Sequence, residues 1–336
     1  MRTIQFSIIT LILPLLLLTS CNQAKQQADP LPSWNNTAIK TSILKYVDSA
    51  VSTIPVEDRI AVFDMDGTIA CETPLWDEMY AAVDGLNKQS AKNQALLKYP
   101  EYIYAKKLAI NPGDTTVTNH WVTKNANYVD SMVWKAYAGV DHEVYINIAR
   151  EYLSKTKNKS FNIPLEKMFY QPMLELIKYL KDNKFSVYVV SGSVQGVIWS
   201  VCPQTIALDR EHLIGTVQLD TPVYVPAQKK TAFMIKKGIY QPKDDKDGKS
   251  QNIYSRIGKV PVFAFGNTTS DFGMFRLTST SKHPNACYLL NHNDSIREYA
   301  YLPWHGTPDP NWQKTMVLNG WKQVNMKEAF KKVWMN

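Results

Sequence analysis

The chain has 336 residues, enough for one large domain or two modest ones, and its apolar fraction of 45% is ordinary for a protein that folds around a core. Its formal charge of +8 suits an anionic ligand or an anionic membrane surface. Nucleic acid is a poor fit. No dense Arg/Lys block, arginine-rich tail or zinc-finger spacing occurs, and the nearest basic cluster, Lys243 to Lys249, is interleaved with Asp244, Asp245 and Asp247.

Taken in chain order, Arg2 supplies a short positive start and Ile4 to Leu18 an apolar run of 15 residues. That is the length of a signal-peptide core and short for a membrane span. The run ends in Leu18-Thr19-Ser20-Cys21, which resembles the bacterial lipobox. The resemblance implies a signal peptide over 1–20, lipidation of Cys21, and a polar tether over 21–36. The lipid bilayer would then be a partner, and the folded body would face the periplasm or the cell surface of a bacterial envelope. The competing reading is an ordinary secretory signal in which Cys21 is incidental. Cys71, Cys202 and Cys287 remain, an odd number that cannot pair completely. Small buried thiols are the preferred reading over a Cys202–Cys287 bridge, and no CxxC suggests structural zinc.

Ile39, Ile43, Leu44, Val47 and Val51 recur at helical spacing, which predicts a helix over 37–51. The apolar run Arg59-Ile60-Ala61-Val62-Phe63 stops abruptly at Asp64-Met65-Asp66-Gly67-Thr68, as a buried parallel strand does when it delivers acids to its carboxyl end. From Pro74 to about Lys159 aromatics and helix formers dominate and no strand-like run stands out, so this stretch reads as a helical insertion. Pro172 opens a helix over Met173–Lys181. Phe185 to Val190 reads as a strand ending at Ser191-Gly192-Ser193, and a Thr-, Val- and Tyr-rich segment after Thr216 as a hairpin. Val260 to Phe265 is another strand, followed by Gly266-Asn267-Thr268-Thr269-Ser270-Asp271, and Ala286 to Leu290 a further one. This alternation predicts an α/β parallel sheet with helices on both faces.

Asp64 and Asp66, delivered together at a strand end, are costly unless a cation or a substrate uses them. A hard cation such as Mg²⁺ is the simplest answer, and Gly67 with Thr68 suits a tight turn near a phosphate. The bland alternative is a capped Asp-Gly turn. No P-loop, GxSxG elbow or HExxH spacing occurs, and each of the six histidines reads as a surface or satisfied core residue.

Val62-Phe63-Asp64-Met65-Asp66-Gly67-Thr68 resembles the first motif of the haloacid dehalogenase superfamily. Ser191, at the end of its strand, resembles the second, and Gly266 to Asp271 resembles the fourth in its GNxxxD variant. Lys249, 18 residues before Asn267, is placed like the third-motif lysine of phosphoserine phosphatase-like members, with Lys229 and Lys230 as rivals. Leu31 to Asn35, Cys71 to Pro74, Arg297 to Tyr301 and Gly320-Trp321 are similar to secreted bacterial members of the phosphorylcholine and nonspecific acid phosphatase type.

The resemblance implies a Rossmann-like core over 37–74 and 166–336, with a helical C1-type cap over 75–165 between the first two motifs. It implies an enzyme, a Mg²⁺-dependent phosphatase acting on small phosphomonoesters. Asp64 would be the nucleophile and Asp66 the general acid and base; Thr68, Ser191, Gly192 and Lys249 would bind phosphate. Asp64, Asp66, Asn267 and Asp271 would hold Mg²⁺, Asp66 through its main-chain carbonyl. Asn267 departs from the usual acid of the fourth motif and leaves the metal site one charge poorer, which keeps a metal-independent dehalogenase open as an alternative. A non-catalytic binding lipoprotein is a second. Glu72, Trp76 and Tyr80, just after the first motif, are the residues expected to face the site, and phosphorylcholine and phosphoserine are the particular esters that follow.

Overall fold

The structure, a computed structural model, describes residues 28–114, 117, 126–304 and 309–335. The expected signal segment and Cys21 lie outside these residues, as do His120, Trp121 and His305. Among the described residues no helix is long and apolar enough to cross a membrane.

In chain order the first helix, α1, spans Ala38–Thr53, with Thr37 accepting the Lys40 N–H as its cap. Strand β1 (Ile60–Phe63) follows. Among the described residues α2 (Asp77–Lys92), α3 (Pro100–Ile110), α4 (Ala126–Ala136) and α5 (His142–Lys155) come next. Helix α6 (Gln171–Asp182) leads into β2 (Ser186–Val194), which passes directly into α7 (Gln195–Ile206). Next are β3 (Leu213–Thr216) and a hairpin of β4 (Gln218–Val225) and β5 (Lys230–Ile239). The chain closes with α8 (Asp247–Ile257), β6 (Phe263–Gly266), α9 (Phe272–Ser279), β7 (Ala286–Asn291), α10 (Trp312–Leu318), β8 (Lys322–Asn325) and α11 (Met326–Ala329).

Among the described residues six strands form one parallel sheet in the order β3-β2-β1-β6-β7-β8. The winding reverses between β1 and β6, so the chain leaves these neighbouring strands in opposite directions and opens a crevice at their carboxyl ends. Both faces of the sheet are covered. Ala61 and Phe63 point into one core cluster and Ile60 and Val62 into another, the period of two expected of a strand. This double burial is why β1 reads as an unbroken apolar run. On the first face Phe63, Phe263, Phe265 and Tyr288 pack in a contiguous group with ring centroids 5.4 to 6.5 Å apart. Tyr46 of α1 joins it at 5.8 Å from Phe263. Buried Arg59 caps the carboxyl end of α1, donating to the Val51 carbonyl at 2.7 Å and the Ile54 carbonyl at 2.9 Å.

The α/β parallel architecture and the helical insertion agree with the sequence reading. The differences are local. Strand β2 runs on through Ser191 to Val194, with a register shift against β3 between those residues. Strand β6 begins at Phe263, after Pro261, which has no N–H to give a ladder. Strands β3 and β8 were not anticipated; β8 is a four-residue edge strand with a single fully buried position, too short for a pattern. The anticipated hairpin exists, but it packs on the helical insertion: the Ile235 N–H donates to the Val140 carbonyl and the Gly139 N–H to the Ile235 carbonyl, at 2.9 and 2.8 Å. Cys71, Cys202 and Cys287 are unpaired buried thiols.

The aromatic group should carry much of the stability of the sheet. Phe263→Ala should lower the unfolding free energy by about 3–5 kcal/mol in a urea titration, because the rigid sheet around it cannot collapse into the space left.

Candidate active site

Asp64 emerges from β1 with its N–H donating to the Phe265 carbonyl of β6 at 2.9 Å, which fixes it over the crevice. The chain then turns back tightly: the N–H groups of Thr68, Ile69 and Ala70 all donate to the Met65 carbonyl at 2.9 to 3.1 Å. Gly67 holds φ +76°, and a Cβ there would stand 1.9 Å from Asn267 Nδ2 and 2.5 Å from Glu72 Oε1. Conformation and space both demand glycine at this point.

Lys249, from the first turn of α8, reaches the same place. Its ammonium donates to Asp64 Oδ1, to Asp271 Oδ1 at 2.7 Å and to the Val190 carbonyl at 2.9 Å, so all three of its protons are used. Burial alone would push Lys249 down, but the charges of Asp271 and Asp64 outweigh it and hold the group well above its ordinary value. The two rivals lie on the hairpin: Lys229 takes a left-handed turn conformation before β5, and Lys230 pairs with Asp141 at 3.6 Å.

Asp66 accepts hydrogen bonds on Oδ2 from the hydroxyls of Ser191 at 3.1 Å and Ser193 at 2.7 Å. Two residues apart on an extended strand, these hydroxyls leave on the same side. Burial raises Asp66 to about 6; the two serines pull it down and the charge of Glu72 pushes it up. Asp64 is raised well above the usual carboxylate range by burial and by Asp271, with Lys249 opposing. Gly192 presents its carbonyl to Thr216 Oγ1 at 2.8 Å and borders a pocket lined also by Glu78, Asp130, Trp134 and Lys243.

Asn267 Oδ1 lies 3.3 Å from Thr68 Oγ1, which donates to Asp64 Oδ2 at 3.1 Å. The Asn267 amide nitrogen donates to Glu72 Oε1 at 2.8 Å, so the amide oxygen is the atom turned toward Asp64. Asp271 is engaged on both oxygens: Oδ1 takes Lys249, and Oδ2 accepts the N–H groups of Asn267 and Thr268 at 2.9 and 3.0 Å. Among the described residues no group of three or more His, Cys, Asp and Glu side chains forms a ready-made metal cage. The chemistry of the donors still fits a hard cation. Asp64 Oδ2 and Asn267 Oδ1 converge on one hydroxyl, and Asp66, Glu72 and Asp77 leave the crevice rich in carboxylates beside the buried ammonium of Lys249.

The structure thus gathers Asp64, Asp66, Thr68, Ser191, Gly192, Lys249, Asn267 and Asp271 around one crevice. Of the residues expected to face the site after the first motif, Glu72 touches Asn267, Trp76 donates its indole N–H to Glu78 Oε2 at 3.0 Å, and Tyr80 is buried in the core. Sequence reasoning missed Ser193, whose alternation with Ser191 was the available signal. It also missed Glu78, which accepts the Val194 N–H at 2.6 Å and is raised to about 7 by burial against the opposing charge of Lys243. Asp77 is buried with an unpartnered Oδ2. Both follow the first motif on α2 with no local pattern to mark them.

The family description haloacid dehalogenase-like hydrolase matches residues 61–276, and the chain belongs to this family of hydrolases. Among solved structures it is similar to a conserved protein of unknown function from Anaerococcus prevotii DSM 20548, at 15% identity and a TM-score of 0.50 over 76% of this chain and 86% of that one. A phosphoserine phosphohydrolase-like protein from Francisella tularensis subsp. tularensis SCHU S4 matches at 13% identity, TM-score 0.41, over 80% and 97% of the two chains. A cytosolic 5'-nucleotidase IIIB bound to cytidine matches at 12% identity, TM-score 0.43, over 83% and 82%. No curated protein matches.

Replacing Lys249 by Met should leave Asp64 and Asp271 as buried carboxylates without a counter-charge. Unfolding in urea at neutral pH, with divalent metal removed, should show a loss of about 3–5 kcal/mol.

Proposed function

We propose that this hydrolase is a phosphatase that cleaves small phosphomonoesters through an aspartyl-phosphate on Asp64. The observation that carries the reading is the division of labour between two carboxylates. Asp64 is bound to an ammonium that can also neutralise phosphoryl oxygens, whereas Asp66, two residues on, is held by two hydroxyls and raised to about 6.

In this reading Asp64 Oδ attacks phosphorus in line, forming an O–P bond as the ester O–P bond breaks. The departing alkoxide takes the proton carried by Asp66. Water then attacks the aspartyl-phosphate, Asp66 takes the water's proton, and Asp64 is released with inorganic phosphate. Lys249, Ser191 and Thr68 bind the phosphoryl oxygens and stabilise the charge that spreads over them in the transition state. Mg²⁺ would be held by Asp64, the Asp66 main-chain carbonyl and Asn267, and would neutralise the phosphate dianion against the buried acid. Asp271 contributes by holding Lys249 and the loop that carries Asn267.

The leaving group would face the pocket beside Gly192, where Glu78, Asp130 and Trp134 meet Lys243. Lys243 already neutralises Asp130 there at 2.9 Å, and Trp134 offers an aromatic ring to an organic group, so phosphorylcholine and phosphoserine stay among the esters to be tried. Lipidation at Cys21 would place the enzyme at the envelope surface; loss of lipid-labelled, membrane-associated protein in Cys21→Ser is the expected outcome.

A panel of phosphomonoesters and haloacids, with and without Mg²⁺, tests the reading by release of phosphate or halide. Metal-dependent phosphate release should fall on the order of 10³-fold or more in Asp64→Asn. Asp66→Asn should cost about 10²–10⁴-fold with alkyl phosphates and much less with p-nitrophenyl phosphate, whose leaving group needs no proton. Halide release without metal would overturn the reading.

A further inference from the structure

The family match ends at residue 276, yet residues 292–301 reach back into the crevice. His292 is 3% exposed, and its Nε2 lies 2.7 Å from the Gly67 carbonyl oxygen. A carbonyl can only accept, so Nε2 carries the proton. The other ring nitrogen lies 3.0 Å from Glu298 Oε2. Glu298 is itself 2% exposed, and its Oε1 accepts from the Tyr170 hydroxyl at 3.0 Å and the Cys71 thiol at 3.3 Å. The His292 ring stacks on Tyr301, centroids 4.2 Å apart and planes 17° from parallel. The Tyr301 hydroxyl lies 3.4 Å from Asn267 Nδ2 and hydrogen-bonds Glu72, the second acceptor around that amide.

One short segment therefore grips both halves of the site. Through His292 it holds the turn that follows Asp66, and through Tyr301 it holds the amide of Asn267. Burying a carboxylate with an imidazole is a poor route to stability, since well-packed apolar side chains would serve as well or better. What such a network supplies is direction: its donors and acceptors are satisfied together only when the ring, the carboxylate and the hydroxyl are held in this arrangement.

We propose that His292, Glu298 and Tyr301 are positioning residues that set the orientation of the Gly67 turn and of the Asn267 amide, and thereby the geometry of the metal and phosphate site. The inference rests on the phosphatase reading above. Its chemistry is that of outer-shell support. With an amide where an acid is usual, the oxygen must be aimed, because rotation about the Asn267 side chain would present an N–H to a cation instead.

The test compares wild type, His292→Leu, His292→Gln and Tyr301→Phe in the full chain. Two readouts are used: steady-state phosphate release, and the Mg²⁺ concentration that half-saturates the metal-induced rise in melting temperature. His292→Leu should lower kcat about 10- to 100-fold and weaken Mg²⁺ by about tenfold while KM moves less than about threefold. His292→Gln, which can still donate to Gly67, should recover part of both. Tyr301→Phe keeps the stacked ring and loses the hydroxyl, so it should weaken Mg²⁺ and lower kcat in a folded protein; it decides alone if His292→Leu does not fold. Wild-type kcat and wild-type Mg²⁺ half-saturation in these variants would overturn the proposal while leaving the phosphatase reading intact. If the wild type releases no phosphate from any ester, that reading fails separately, and the Mg²⁺ shift alone then decides the clasp: unchanged half-saturation overturns it.

Discussion

The ammonium of Lys249 is the interaction on which the site depends. It lies buried among Asp64, Asp271 and the Val190 carbonyl, and it joins elements from four separate stretches of chain: the end of β1, the middle of β2, α8 and the loop after β6. Without it two carboxylates would face one another in a buried crevice, and their mutual repulsion would have to be relieved by protonation or by opening the fold. With it Asp64 can be both buried and available. In the proposed reaction the charge that lets the site assemble would also be the charge that a transferring phosphoryl group meets.

That contact exists because of the sheet topology. Reversal of winding between β1 and β6 brings the loops after these strands together at one rim, and β2 adds its serines from the next position. The crevice is then roofed by helices inserted after β1 and by the β4–β5 hairpin, whose main chain is bonded to the insertion. The pocket beside Gly192 is lined from both, with Trp134 and Asp130 on α4 and Ile239 on β5. A side chain such as Lys243, which pairs with Asp130 at 2.9 Å, therefore belongs to the roof as much as to the core.

Much of this arrangement is legible in the amino-acid sequence. An apolar run that stops at Asp64-Met65-Asp66-Gly67-Thr68 announces a buried strand, a crevice and a turn, because few other contexts tolerate two acids directly after four buried apolar residues. Three lysines, Lys229, Lys230 and Lys249, are candidates from the sequence, and of these Lys249 is the one whose ammonium meets Asp64. The helical character of the insertion is visible in its composition. Contacts made by residues with no local pattern are not legible in this way. Ser193 needs the run-on of β2, and Asp77 and Glu78 need the approach of α2 to the end of β2. His292 reads like any satisfied core histidine, as it is, but the atom that satisfies it is the carbonyl of the Gly67 turn.

The sequence by itself determined the kinds of groups present and where strands deliver them, since burial period, turn residues and the acid pair are local properties of a few consecutive residues. Tertiary structure alone decided how those groups face one another. It turned the Asn267 oxygen toward Asp64 by giving its nitrogen to Glu72, and it occupied both oxygens of Asp271 with Lys249 and main-chain N–H groups. It also closed the back of the site with residues from beyond the family match. Such choices are made by partners as far as 225 positions apart in the chain, and no short stretch of sequence carries the free energy that selects between them.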